Sequence, residues 1–176
     1  TLDYAGTNHA VNNGAVATAE GYGFDGADNV IEAGNVANLS DGASFSFVVN
    51  ATPNGNFAVI LDQGETSGFT IAIDWRAGRN NSLQWRDPNS GVGDKFPNFF
   101  SGFENTLVWV ALVHSQGTLR AYRDGELFGE SSEVGVGSSS AALSIGRRLL
   151  AGQHNFNGII RDVRIHNVAL TPEEVA

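Results

Sequence analysis

Short apolar stretches separated by glycine-rich turns constrain the fold of this 176-residue chain more than any other feature. About eleven such stretches are too short for helices, and several show the two-residue alternation of half-buried strands. They are residues 21–24, 29–32, 44–49, 57–61, 69–75, 82–86, 107–113, 118–123, 127–128, 142–145 and 159–165. Only residues 171–176 resemble a helix, with Thr171 as N-cap and Pro172 in the first turn. The pattern predicts an all-β sandwich or barrel with a short C-terminal helical turn.

Alternation within two of these stretches assigns their side chains to opposite faces of a sheet. The inward set is apolar and consists of Phe69, Ile71, Ile73, Trp75, Leu83 and Trp85. The outward set of the same two strands carries Asp74, Arg76, Gln84 and Arg86, because successive side chains of a strand point to opposite faces. We therefore predict one polar sheet face built from these four residues.

Composition narrows the class of partner. The chain has 19 acidic and 10 basic residues and a net charge of −9, which disfavours nucleic acid and anionic membrane surfaces. It has no cysteine, which excludes disulfides and thiolate metal sites. Its apolar runs are far shorter than the roughly 20 residues of a membrane span. We expect a single domain over residues 1–176, excised or processed from a larger protein.

Four segments resemble signatures of a known family, and they occur in the family's order. They are residues 3–10, 24–32, 118–127, and 143–146 followed by 156–174. Together they are similar to laminin-G-like domains of the concanavalin A-like lectin/glucanase superfamily, and the resemblance covers essentially the whole chain. It implies a jelly roll, a sandwich of two antiparallel sheets. Members are mostly non-catalytic modules of secreted or surface-anchored proteins; many bind glycans, some bind proteins, and many hold calcium.

The resemblance also suggests a calcium site. It implies Asp3 and Asp162 as side-chain ligands, with Gly6 and Asn8 adding oxygens. Hard oxygen donors of this kind are what calcium prefers. The alternative is that Asp162 pairs with a neighbouring arginine and Asp3 is a turn residue.

Three groups of residues are candidates for contact with a glycan. The first is the polar face, and the second is the phenylalanine-rich loop 96–103, where Phe99 and Phe100 either stack on a sugar or plug the end of the sandwich. The third is residues 146–155, which begin with Gly146, Arg147 and Arg148. If the arginines lie close together, they would bind carboxylates or sulfates, and the glycan they recognise would be anionic. The alternative is that the arginines are scattered and pair with aspartates.

An enzyme is not expected. Glycosidases need two carboxylates about 5–9.5 Å apart, and no apolar strand carries carboxylates at alternate positions. His114 and Tyr122 are possible bases of a lyase, but they stand outside any lyase motif. We predict a carbohydrate-binding module, secreted or at the cell surface, that serves adhesion or substrate targeting. The alternatives are a protein-binding module and, third, a polysaccharide lyase or hydrolase.

Overall fold

The computed structural model describes residues 9–35, 39, 42–64, 67–87, 95–132, 135–137, 139–148 and 154–176. Within these ranges lie thirteen strands and one short helix. They are β1 (Val11–Asn13), β2 (Val16–Thr18), β3 (Gly21–Asp25), β4 (Val30–Ala33), β5 (Ala43–Ala51), β6 (Phe57–Asp62), β7 (Thr70–Asp74), β8 (Ser82–Arg86), β9 (Leu107–Ser115), β10 (Thr118–Arg123), β11 (Glu126–Ser131), β12 (Leu143–Ile145), β13 (Asn157–His166) and α1 (Pro172–Val175).

The strands form two antiparallel sheets. The six-stranded sheet has the order β1-β4-β12-β6-β7-β8, and the seven-stranded sheet has the order β11-β10-β9-β5-β13-β3-β2. Buried apolar side chains of both sheets belong to one continuous core. The predicted two-sheet sandwich of the jelly-roll type is confirmed.

Aromatic side chains join the two sheets at the centre of the core. Phe45 on β5 meets Phe69 at 4.8 Å and Trp85 at 5.2 Å between ring centroids, both edge to face. Phe69 and Trp85 lie stacked at 5.6 Å with their planes 9° apart. All three rings are fully buried, as is most of Trp75. The predicted inward set therefore forms the core that fixes the orientation of β7 and β8.

The predicted strands are all present, as β3 to β13, and the structure adds β1 and β2. These two strands have three residues each and expose their side chains, Val11 by 60% and Val16 by 63%. They lie at sheet edges, where a short strand limits pairing with other chains. Three residues are too few to show alternation, so the sequence pattern missed them.

The turn between β10 and β11 and the start of α1 have the local geometry typical of their residue types. Asp124 and Gly125, between β10 and β11, have φ angles of 51° and 86°, as expected of an Asp-Gly hairpin. Thr171 caps α1 in a capping box with Glu174. No helix among the described residues is long and apolar enough to cross a bilayer.

Candidate functional site

The outer face of β6, β7 and β8 brings the predicted polar residues together. Ala72 pairs with Gln84 and Asp74 with Ser82 between β7 and β8, while Asp74 pairs with Phe57 on β6. Paired residues point to the same face of a sheet. Asp74, Gln84 and Arg86 therefore share the face opposite the core, as the alternation predicts.

Much of this face is nevertheless shielded from solvent. Asp74 is 0% exposed and Gln84 is 1% exposed, although both point away from the core. Gln84 donates a hydrogen bond to the Ser82 hydroxyl at 3.0 Å. Their burial does not favour the expectation that Asp74 and Gln84 contact a ligand directly, and that expectation stays a prediction. They form a hydrogen-bonded floor under other side chains.

Two arginines and one histidine lie around the buried ring of Phe57 on the same sheet face. The Arg86 guanidinium carbon lies 4.3 Å from the centroid of the Phe57 ring, and that of Arg76 lies 5.6 Å from it. The His154 ring meets Phe57 edge-on at 5.2 Å. The carbonyl of His154 also accepts a hydrogen bond from the Val59 amide at 2.9 Å, which holds His154 against β6.

The carboxylate of Asp74 anchors two arginines. Arg76 donates to it through Nε at 2.8 Å and through Nη2 at 2.6 Å, and Arg79 Nε lies 3.9 Å away. Burial alone would raise the pKa of Asp74, but the hydrogen bonds from Arg76 and the charges of both arginines outweigh it, so the pKa is lowered. Asp74 therefore stays ionised and holds Arg76 in a fixed orientation.

A second buried carboxylate, Asp62, lies at the other end of the same strand pair. The Thr70 hydroxyl donates to the Asp62 carboxylate. The Ser144 hydroxyl lies 3.2 Å from the backbone carbonyl oxygen of Asp62 and 2.7 Å from that of Arg147. Burial raises the pKa of Asp62, partly offset by the Thr70 hydrogen bond and by the charge of Arg148. Asp62 pairs with Thr70, four residues from Asp74 along β7. The backbone positions of Asp62 and Asp74 are thus offset by about 13 Å along the strands, at the usual rise of a strand.

The charge felt by His154 shows that this region is positive. Burial lowers the pKa of His154, and Arg148, Arg86 and Arg76 lower it further, while Asp74 opposes them more weakly. The chain as a whole carries a net charge of −9. The face is therefore a local cationic cluster on an acidic protein. We call Arg76, Arg79, Arg86 and Arg148 the cationic cluster, and His154 lies close to it.

His154 should make the protein less stable in mild acid. Its folded-state pKa lies below its ordinary value of 6.5, so the unfolded state binds more protons as the pH falls. The His154 contribution is present above pH 6.5 and is lost as the pH falls through the folded-state pKa. We expect the free energy of unfolding of His154→Gln to fall less between pH 7 and pH 5.5 than that of the wild type. An NMR titration that places His154 at or above its ordinary pKa would contradict this.

The phenylalanine-rich loop is a plug of the core. Phe99 is 0% exposed and Phe100 is 1% exposed. Their rings lie 4.9 Å apart, and Phe100 also meets Trp75 at 6.0 Å. Arg123 caps the cluster by donating to the Phe99 carbonyl at 2.5 Å. The expectation that Phe99 and Phe100 contact a ligand is thus corrected, because neither ring has an open face.

The remaining predicted residues lie apart from one another. Arg147 donates to the Asp28 carbonyl at 3.0 Å, whereas Arg148 is close enough to Asp62 and His154 to shift both pKa values. Of the predicted calcium ligands, Asp3, Gly6 and Asn8 lie outside the described residues.

Asp162 is the one predicted calcium ligand that the structure describes. It sits in a bulge of β13 with φ of 54°, its side chain 57% exposed and its carboxylate 3.5 Å from Arg161 Nε. An exposed carboxylate fits a hard cation chemically, but here it has a cationic neighbour. Nowhere in the described ranges do three His, Asp or Glu side chains come together as a metal site would require.

The sequence pattern did not single out Phe57, Asp62 and Thr70 as parts of the site, and it included His154 only within the candidate group 146–155. Residues 57–61 are apolar without interruption, so alternation assigns no face to Phe57. His154 stands outside any strand and reaches the face only through tertiary folding. The one signal available was the polar pair Asp62 and Thr70, which lie opposite each other on β6 and β7. Recognising this pair requires the register of the two strands, which the sequence alone does not give.

Two antiparallel sheets packed face to face, one with a polar outer face, define a lectin-like jelly-roll domain. The family comparison agrees: a laminin-G family model of the concanavalin A-like lectin/glucanases superfamily matches residues 25–176. The chain belongs to this superfamily, as the signatures in its sequence suggested. No curated protein matches it significantly by sequence.

Solved structures with the same fold come from several sources. Domain 4 of AbnA, an extracellular arabinanase of Geobacillus stearothermophilus in complex with arabinotriose, has a TM-score of 0.74 and 18% identity over 97% of this chain and 86% of that domain. The binding domain of botulinum neurotoxin serotype D has a TM-score of 0.68 and 14% identity. A sialidase of Trypanosoma rangeli has a TM-score of 0.67 and 14% identity. Both matches include 96% of this chain, but they include only 45% of the neurotoxin domain and 29% of the sialidase.

Proposed function

We propose that the chain is a non-catalytic carbohydrate-binding module of a secreted or cell-surface protein, acting in adhesion or substrate targeting. The observation that carries the proposal is the outer face of the six-stranded sheet, where arginine side chains are held in place over a hydrogen-bonded floor. Arg76 and Arg79 are 44% and 45% exposed and can reach a ligand. The complex of AbnA domain 4 with arabinotriose supports the proposal, because that domain shares the fold over nearly its whole length.

The positions of the buried carboxylates favour binding over hydrolysis. The backbone positions of Asp62 and Asp74 are offset by about 13 Å along the strands, which is wider than the roughly 5–9.5 Å between the carboxyl groups of a hydrolytic pair. Asp74 also accepts hydrogen bonds from Nε and Nη2 of Arg76. Its carboxylate is thus engaged in orienting an arginine, which favours a binding role over a catalytic one.

A polysaccharide lyase is the second candidate, and one observation favours it. His154 has a lowered pKa and is therefore neutral near pH 7, and arginines stand around it. A neutral base beside a cation that stabilises a substrate carboxylate is the arrangement that proton abstraction next to a carboxylate requires.

A glycan array and a product assay with the same protein test the proposal. We expect binding to at least one class of polysaccharide and no reaction of alginate, laminarin or sulfated galactans during long incubation. New reducing ends or the absorbance of unsaturated products would establish an enzyme instead. A protein partner captured by pull-down, without any glycan bound, would favour the protein-binding alternative.

Calcium is proposed with Asp162 as one ligand and Asp3, Gly6 and Asn8 as the expected others. A cation bound only by the folded state stabilises it, by about 2.7 kcal/mol at 100 times its Kd. We expect millimolar calcium to raise the melting temperature after treatment with a chelator. Asp162→Asn should abolish the rise, since asparagine tolerates the positive φ but lacks the charge. Glu126→Gln, at an exposed position of β11, is the matched control. A melting temperature indifferent to calcium would rule the site out.

A further inference from the structure

We propose that the outer face of the seven-stranded sheet carries a second sugar-binding site, in which Trp109 and Asp124 hold one ring of a neutral glycan. The inference rests on the proposed function only in taking a carbohydrate as the ligand. The site lies on the opposite side of the sandwich from the outer face of β6, β7 and β8, because the two sheets pack on one core between them.

Trp109 faces away from the core and is only partly covered. Its neighbours on β9, Val108 and Val110, belong to the main core, and successive residues of a strand point to opposite faces. On the outer face Val175 of α1 packs on a small apolar cluster of β9 and β10. Trp109 lies against this cluster but remains half-buried. A large aromatic ring that stays partly in water offers apolar surface to a ligand.

A cavity of about 350 Å³ opens beside Trp109. The residues that line it are Trp109, Asp124, Gly125, Val175 and Ala176. Its volume lies at the lower end of the range of about 300–1,000 Å³ that is usual for small-molecule sites. Apolar walls and one carboxylate are the combination that a sugar ring requires, since the ring presents C–H groups on its faces and hydroxyl groups at its edge.

Two hydrogen bonds hold Asp124 against the backbone of Trp109. The Asp124 amide donates to the Trp109 carbonyl at 2.9 Å, and Asp124 Oδ1 accepts from the Trp109 amide at 2.9 Å. Asp124 also begins the Asp-Gly turn, with a φ of 51°. A carboxylate has about four acceptor positions, so capacity remains for sugar hydroxyls. The carboxylate is therefore oriented before a ligand arrives, and little side-chain freedom is lost on binding.

The charge at the cavity favours a neutral sugar over an acidic one. Among the described residues that line it, Asp124 carries the one charged side chain. The chain as a whole has a net charge of −9. An acidic sugar is repelled by both charges. A neutral sugar instead stacks on Trp109 and donates hydroxyl hydrogen bonds to Asp124, and such bonds to an ionised acceptor are the stronger kind.

NMR titrations of the full chain test the inference with neutral trisaccharides of arabinose, xylose, glucose and galactose, and with trigalacturonate. The chain has three tryptophans and therefore three indole N–H signals, and the spectrum of Trp109→Phe identifies that of Trp109. We expect at least one neutral trisaccharide to shift the Trp109 signal while those of the buried Trp75 and Trp85 stay in place. Trigalacturonate should not shift the Trp109 signal.

Two substitutions separate the ring from the carboxylate. Trp109→Ala should weaken binding of the responding trisaccharide by about tenfold or more, because it removes the stacking surface. Asp124→Asn should weaken it by about tenfold, because a neutral acceptor makes weaker hydrogen bonds. Asparagine tolerates the positive φ and still accepts from the Trp109 amide, so the turn is kept. The amide signal of Gly125 follows binding in both variants.

Val16→Ala is the matched control. Val16 is 63% exposed on β2, the edge strand of the same sheet, and it is not among the residues that line the cavity. The substitution removes exposed apolar surface without changing the site, so this variant should bind the trisaccharide like the wild type.

The outcomes separate this site from the proposed function. A trisaccharide that binds without shifting the Trp109 signal, or that binds Trp109→Ala and Asp124→Asn as tightly as the wild type, would overturn the site and leave carbohydrate binding intact. The absence of any shift at Trp109 would overturn it as well. A protein partner that is captured by the wild type and lost in Trp109→Ala, without any response to trisaccharides, would assign this surface to protein recognition instead. If no glycan of an array binds either, the proposed function fails with the inference.

Discussion

Replacing Trp85 with alanine should lower the free energy of unfolding by about 3–5 kcal/mol. Trp85 is fully buried, stacks on Phe69 and meets Phe45 edge to face. Its Nε1 also donates to the buried carboxylate of Asp87 at 3.0 Å. The substitution therefore opens a large cavity between the sheets and removes a hydrogen bond from a buried charge. Denaturant unfolding followed by circular dichroism measures the loss.

Two further variants divide this effect. Trp85→Phe keeps a ring between Phe45 and Phe69 but removes the N–H donor, and we expect a smaller loss of about 1–3 kcal/mol. Trp109→Ala is the control, because Trp109 is half-buried and packs against a small cluster outside the main core. A loss for Trp109→Ala as large as that for Trp85→Ala would show that Trp85 is not a central core residue.

The faces of β7 and β8 could be predicted from sequence because each strand alternates apolar and polar residues. Phe69, Ile71 and Ile73 can enter the core only if the residues between them face away. On β6 the same rule fails: both faces are apolar, since Phe57 and Val59 form a small buried cluster with Ala72 on the outer face. Apolar residues on both faces leave the pattern without information about direction.

The candidate site was predictable only as far as strand pairing determines it. Neighbouring strands place Asp74, Gln84 and Arg86 together, which the pattern shows. That His154 lies over Phe57, 97 residues away along the chain, depends on the path of the segment before β13. Local sequence pattern does not encode which distant segment covers a face.

Packing explains why two of the recognised signatures, residues 24–32 and residues 143–146 followed by 156–174, occur together in one chain. A Cβ atom on Gly146 would lie 2.2 Å from the Phe24 ring, so this ring occupies the space a side chain would need. Phe24 in turn meets Phe156 edge-on at 6.1 Å. Backbone hydrogen bonds also join the segments. The Phe156 amide donates to the Gly146 carbonyl at 2.8 Å, and the Gly26 amide donates to the Phe156 carbonyl at 3.0 Å. The signatures therefore describe one packing unit between the sheets.

Replacing Gly158 with alanine should destabilise the protein by about 3 kcal/mol or more. Gly158 lies in β13, which pairs with β5 on one side and β3 on the other. Its φ is +131°, and a Cβ atom would lie 2.0 Å from the Asn50 carbonyl oxygen. That oxygen belongs to the backbone of β5, so it cannot move aside as the end of a side chain could. The variant must either shift two interior strands or lose their pairing.

Gly129→Ala is the matched control for this prediction. Gly129 also lies in a strand, β11, but its φ is outside the left-handed region, and a Cβ atom there would make an ordinary contact of 3.8 Å with Phe96. We expect Gly129→Ala to change the free energy of unfolding by less than about 1 kcal/mol, because alanine fits that backbone without strain. The difference between the two variants isolates the close approach of β13 to β5. If Gly158→Ala unfolds at the same denaturant concentration as Gly129→Ala, the two strands cannot approach as closely as described, and the register between residues 158 and 51 would have to be different.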